Sequence, residues 1–225
     1  MINRTIPYKF VCLLLLVICS YIAAGQSFRG GAKAGMTASE VSGDRSGGPN
    51  KVGWYASIFT DYPVSDFAFW HLELMYITKG SREFHNPDDP SEGAFRDYRF
   101  HLQYVEVPVL FKIQFPVASR LPYTNWLGGE VGLSVSRVIG HVETDDVGVE
   151  ITNTPNDVAL TRPFRPAELN LILGFSVPLG EMLAFTFRFN QGLTPIRDHA
   201  SGRQVWYNRG QYNTAWTVGM SVTVF

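Results

Sequence analysis

Cysteine is confined to the opening of the chain. Cys12 and Cys19 are the only two, and both lie in one apolar stretch, so the remainder can form neither a disulfide nor a thiolate metal site. Surplus charge is missing as well: 19 Lys+Arg stand against 20 Asp+Glu, which offers no polycationic surface and no nucleic-acid partner. No apolar run reaches the roughly 18 residues that a membrane-crossing helix needs. After residue 26 there is no amphipathic helical period of useful length. A nucleophile elbow, a P-loop, a His-Glu-x-x-His motif and a dinucleotide fingerprint are all lacking. No enzyme class is therefore indicated and no cofactor is expected. The histidines His71, His85, His101, His141 and His199 are scattered, and their spacing promises no metal centre. The acidic stretches 85–93 and 143–150 contain Asp88, Asp89, Glu143, Asp145 and Asp146. Neither follows EF-hand spacing, and both read as solvated external loops.

What is present begins with a leader. Arg4 and Lys9 precede the apolar "FVCLLLLVICSYIAA", and Ala23 and Gly25 supply small residues at minus three and minus one before Gln26. This three-part pattern predicts a cleaved secretory signal over 1–25 and a mature domain over 26–225. Ile18 before Cys19 is too large for a lipoprotein cleavage site. Loss of Arg4 and Lys9 takes the 19 basic residues to 17 against 20 acidic ones. An exported chain without disulfides must be stabilised by a large core, a partner or a membrane.

The dominant signal in the mature chain is period two, in segments bounded by Gly, Pro, Asn and Asp. Eight strands are predicted, over 28–37, 51–60, 67–79, 99–114, 124–138, 166–177, 183–193 and 212–224. Their connections alternate: 61–66 and 178–182 are tight and 115–123 is shorter, whereas 39–50, 80–98, 139–165 and 194–211 are long. Tight turns at one end and polar loops at the other are the pattern of an up-and-down transmembrane barrel.

The faces agree. Leu169, Leu171, Leu173 and Phe175 oppose Glu168, Asn170, Gly174 and Ser176, while Phe185, Phe187 and Phe189 oppose Thr186, Arg188 and Asn190. Val218, Met220, Val222 and Val224 oppose Thr217, Gly219, Ser221 and Thr223. In "YVEVPVLFKIQF" (104–115) the odd positions from Val105 to Ile113 are all apolar, and the even ones include Glu106, Pro108 and Lys112. A sheet facing water carries many Lys, Glu and Arg. Small residues with single charges suit the narrow lumen of an eight-stranded barrel, which side chains fill. The fold class is therefore all-β, an eight-stranded antiparallel up-and-down transmembrane barrel with short periplasmic turns and long extracellular loops.

The predicted lumen charges are Glu73, Glu106, Lys112, Glu130, Glu168 and Arg188, with His71 beside them. Buried charges need partners, so these side chains should form one network. Pro108 removes a ladder donor and predicts a bulge or irregularity. Three functions fit the pattern: a filled structural or interaction barrel whose loops 80–98 and 139–165 meet a protein partner, a narrow ion or solute channel, and a soluble lipocalin-like carrier with its apolar faces inward.

"YVEVPVLFKIQF" also resembles the "YLEIPLLLKY" strand of the PorT-type outer-membrane barrels of Gram-negative bacteria. "FWHLELMYITKG" is similar to that family's "LQPELLYSQKG", "FRGGAKAGM" to its "GLKAGLN", and "FRFNQGLTPI" to its "LRYNYGLTNI". The likeness runs through the mature chain in order. It implies a barrel in the outer-membrane lipid with both termini in the periplasm, inserted by the barrel-assembly machinery. It implies little chemistry, although one member takes part in protein secretion. One departure is Phe225: its own parity holds Thr223, Ser221 and Gly219, where that family of signals wants apolar residues.

Overall fold

The computed structural model describes residues 28–42, 48–82, 99–116, 126–144, 164–197 and 210–224. They form β1 (Arg29–Ser42), β2 (Lys51–Ser65), β3 (Ala68–Arg82), β4 (Arg99–Pro116), β5 (Trp126–Thr144), β6 (Ala167–Pro178), β7 (Leu183–Gly192) and β8 (Tyr212–Thr223). Each strand pairs antiparallel with the next, and β8 returns to β1, so the sheet is a closed barrel. The leader 1–25, most of the loops expected at 80–98 and 139–165, and Phe225 lie outside the described residues.

Closure follows from the register. From Arg29 the pairs lead through Asp61, His71, Leu110, Gly132, Ile172, Asn190 and Ala215 to Ser39. One circuit thus climbs β1 from 29 to 39, a stagger of ten residues. That stagger fixes a strand tilt of about 35–45° and leaves an interior just wide enough for side chains. The β1–β8 seam closes over two paired glycines, Gly35 and Gly219. A Cβ on either would collide with backbone of the opposite strand, and the Tyr55 ring covers the pair from inside.

Alternation sorts the faces as the sequence suggests. Leu72, Leu74, Val107, Val109, Val131, Leu133, Leu173, Phe175, Val218 and Met220 are exposed around the wall. Glu73, Glu106, Ser134, Asn170, Arg188 and Thr217 are buried inside it. An outer surface this apolar is stable only against lipid, and the closed ladder leaves no strand edge in it. Trp70 packs on Phe111 and Tyr62 on Phe28 toward the tight turns, with Trp54 on Tyr76 farther up the wall. Such pairs are placed as interfacial girdles are. The carrier with inward apolar faces is the reverse of this arrangement.

Several strands run farther than their sequence signal. The β2–β3 turn is only Asp66 and Phe67, so the predicted turn 61–66 is largely strand and Asp61 enters the barrel. Strand β5 reaches Thr144 instead of 138, because Gln103 faces Gly140 while Tyr104 faces Val138. Ile139 is the extra residue of a bulge. The inward parity switches from even to odd there, which hides the rest of the strand from an alternation template. Pro108 itself causes no register shift. Its effect is on the β3 side, where pairing lapses between Leu72↔Val109 and Met75↔Glu106, as expected of a residue with no N–H to give.

Candidate functional site

The inward residues of the eight strands build the lumen in levels. Toward the tight-turn end, β1 contributes Lys33, β2 Asp61, β3 His71 and Glu73, β4 Lys112, β5 Glu130 and β7 Arg188. Arg188 Nη1 lies 2.8 Å from Glu73 Oε2, its Nε and Nη2 both reach Glu130, and Nη2 is 3.4 Å from His71 Nε2. Lys33 Nζ donates to Glu73 Oε2 at 3.0 Å and is 2.9 Å from His71 Nε2. His71 Nδ1 bonds Asp61, whose other oxygen accepts from Lys112 Nζ at 3.1 Å. The three fixed bases Lys33, Lys112 and Arg188 thus balance the three acids Asp61, Glu73 and Glu130. Every one of them touches an opposite charge, the condition under which buried ions are tolerated.

A second level lies above. Lys79 Nζ meets Glu106 Oε2 at 2.9 Å and lies 5.3 Å from the Tyr104 ring centroid. Glu106 Oε1 accepts from Ser134 at 2.6 Å and from Asn190 Nδ2 at 2.8 Å. Asn170 Nδ2 donates to Ser134 and Ser136 at 3.3 and 3.1 Å. Asn213 Nδ2 donates to Tyr104 Oη at 2.9 Å and to Glu168 Oε2 at 3.0 Å.

Over and beside this level packs an apolar cluster of Val41, Tyr55, Met75, Ile77, Phe100, Leu102, Tyr104 and Ile196. Ile196 comes from the segment after β7, fixed by Ile196 N–H to Gln211 O and Arg165 N–H to Ile196 O, both 2.7 Å. Arg197 beside it is bidentate to Glu143 and stacks 3.9 Å from the Phe164 ring centroid. The opposite end is open. A cavity of about 760 Å³ enters between Arg29, Trp126, Glu181 and Val224 and reaches Lys33, Glu130 and Thr186.

All six lumen charges expected from the sequence point inward, and His71 with them, though they divide between the two levels. Glu73, Glu130, Arg188 and Lys112 share the lower one; Glu106 and Glu168 belong to the upper. Sequence reasoning missed Lys33, Asp61 and Lys79. Lys33 shares the parity of Gly31, Gly35 and Thr37, and Lys79 that of His71, Glu73 and Met75, so both were legible by extending the alternation. Asp61 was hidden by the turn placed on it. Missed too was the apolar cluster, in which Met75 and Ile77 share the inward parity of His71 and Glu73 on β3.

A family model described as an outer membrane protein β-barrel domain matches residues 23–198. The chain belongs to that family. The outer-membrane β-barrel domain also resembles solved structures at the level of fold. Neisserial surface protein A is 12% identical, with 88% of this chain and 97% of that one covered and a TM-score of 0.44. Ail, the attachment invasion locus protein of Yersinia pestis, is 12% identical over 87% of this chain and 98% of that one, again at 0.44. The outer membrane protein OprG from Pseudomonas aeruginosa is 11% identical, covering 88% and 94%, with a TM-score of 0.39. The search of curated proteins returned no match.

Proposed function

We propose that this outer-membrane barrel is a non-enzymatic, non-conducting protein that works through its ends, as a membrane-anchored interaction scaffold. The observation that carries this reading is the filled lumen. Water entering from the tight-turn end meets Arg188 bonded to both Glu73 and Glu130, then the Lys79–Glu106 level, then the apolar cluster around Ile77 and Phe100. Conduction would require several buried ion pairs to part together. The partner is a protein met through the long extracellular loops. The PorT-type resemblance adds a connection to protein secretion, and the leader adds export with cleavage after Gly25 and insertion by the barrel-assembly machinery.

Planar bilayers decide between plug and channel. The refolded mature chain should give no unitary steps, only baseline. Regular conductance steps from the wild-type barrel, altered in selectivity by Glu73→Gln, would establish the narrow channel instead.

A further inference from the structure

The loop end of the wall gathers positive charge. Arg82 ends β3 and Arg99 begins β4, and the register sets them directly opposite one another. Like charges so placed repel across a sheet. Lys51, the first residue of β2, lies close enough for both guanidinium groups to act on its ammonium, and it acts in turn on His101. Its approach has a local cause. Trp54 N–H donates to Thr78 Oγ1 at 2.9 Å, and Thr78 Oγ1 donates to Trp54 O at 3.1 Å, which draws the start of β2 against β3. The described salt bridges use neither Lys51 nor Arg99. Arg99 Nε donates to an uncharged partner, Thr144 Oγ1, at 3.2 Å.

Strand β4 fixes where this cluster stands against lipid. Its outward residues are apolar from Phe115 through Ile113, Phe111, Val109 and Val107 to Val105. That span of ten residues, in a strand tilted by about 40°, rises about 25 Å along the membrane normal, the height of the apolar band of such barrels. Gln103, His101 and Arg99 continue the same face above it. Beside them Val52 and Trp54 are exposed, and Trp54 packs on Tyr76 with 4.7 Å between ring centroids, as aromatics do where hydrocarbon gives way to headgroups. The stems of Lys51, Arg82 and Arg99 are long enough to lie along such apolar surface with their charged heads among those headgroups. The tight-turn rim is different, since it sets Arg29 against Asp66 and Glu181.

Cations that converge at headgroup depth call for an anion, and phosphate accepts from guanidinium and ammonium groups at once. We propose that this rim binds the phosphate group of an anionic lipid in the loop-side leaflet, with Lys51 and Arg99 as its donors and Arg82 and His101 beside them. The acyl chains of that lipid lie along Val52, Trp54 and Val105, an apolar surface that an inorganic phosphate would leave uncovered. This continuity of charged rim and apolar wall favours a lipid over a free ion. The bound lipid becomes a fixed part of the wall beneath the long loops. The inference stands apart from the filled lumen, because a conducting barrel would carry the same rim.

The test refolds the mature chain into phosphatidylcholine vesicles that contain either brominated phosphatidic acid or brominated phosphatidylcholine. Quenching at Trp54 is read as the difference between each protein and its own Trp54→Phe counterpart. Trp54 should report a preference for phosphatidic acid. Lys51→Gln/Arg99→Gln should lower that preference at least about fivefold, the effect of one charge at an anionic membrane surface, while Arg29→Gln at the opposite rim should keep it. Should the double variant not refold, Lys51→Gln alone must show the fivefold loss. Equal quenching by the two lipids would overturn the site, and so would a preference that survives these substitutions. Inorganic phosphate added to the vesicles should leave the preference unchanged. Its loss at millimolar phosphate would mark a site for the free ion and overturn the lipid.

Discussion

Arg188 is the side chain whose removal tests the lumen most directly. It touches Glu73, Glu130 and His71 from one position on β7. Arg188→Met keeps much of the side-chain volume and removes the charge, which leaves Lys33 and Lys112 to balance Asp61, Glu73 and Glu130. Glu73 retains Lys33 at 3.0 Å, but Glu130 loses its bidentate partner. Stranding one member of a buried pair costs about 3–5 kcal/mol. With a urea slope of about 2 kcal/mol per molar, the unfolding midpoint should fall by about 2 M. The double variant Arg188→Met/Glu130→Gln restores two bases to two acids, and it should recover at least about 2 kcal/mol of that loss. Both are measured on the barrel refolded in vesicles, by tryptophan fluorescence against urea and by the mobility of unboiled samples on gels. A loss below about 1 kcal/mol for Arg188→Met, with no recovery in the double variant, would refute the reasoning. It would mean that water already solvates Glu130, and that the lumen is wet enough for the channel reading to return.

The wall and the seam make their own claims. Leu173→Arg puts a charge on the exposed apolar face in mid-strand, and it should lower stability in vesicles by about 2–4 kcal/mol. An unchanged urea midpoint would mean that this face does not meet lipid. Gly219→Val forces a side chain into the β1–β8 seam beneath Tyr55. The yield of heat-modifiable barrel should drop sharply while Ala184→Val, away from the seam, refolds, and equal yields would remove the seam from the account.

Legibility followed the alternation. Where inward and outward residues kept one parity, as in β6, β7 and β8, the sequence alone placed Glu168, Arg188 and the exposed Leu173 correctly. Where parity switched, it failed: the Ile139 bulge concealed the end of β5, and with it the inward turn of Glu143, 7% exposed. Asp61 was lost because Pro63 reads as a turn residue, yet β2 carries it near its end, where a missing donor matters least. Pairings across the lumen were not legible at all. Lys33 and Glu73 meet at a separation of 40 residues, and Arg188 and Glu130 at 58. Such contacts depend on the ten-residue stagger, which no local pattern states.

The two ends of the barrel differ in a way that bears on where it acts. At the tight-turn end the cavity of about 760 Å³ is open and stops at charged side chains. At the other end the segment after β7 folds back, and Ile196 and Arg197 seal the lumen against Phe100 and Phe164. A pore needs both mouths open, and a rigid scaffold needs neither. An apolar seal on the loop side instead ties Ile196 and Arg197 to the barrel rim. For the proposed scaffold, a fixed anchor at that point would lower the entropy lost on meeting a partner. The charges below serve the same end by holding the eight strands at one register. For the proposed scaffold, the packed lumen would serve to make the rim stiff where a partner would be met.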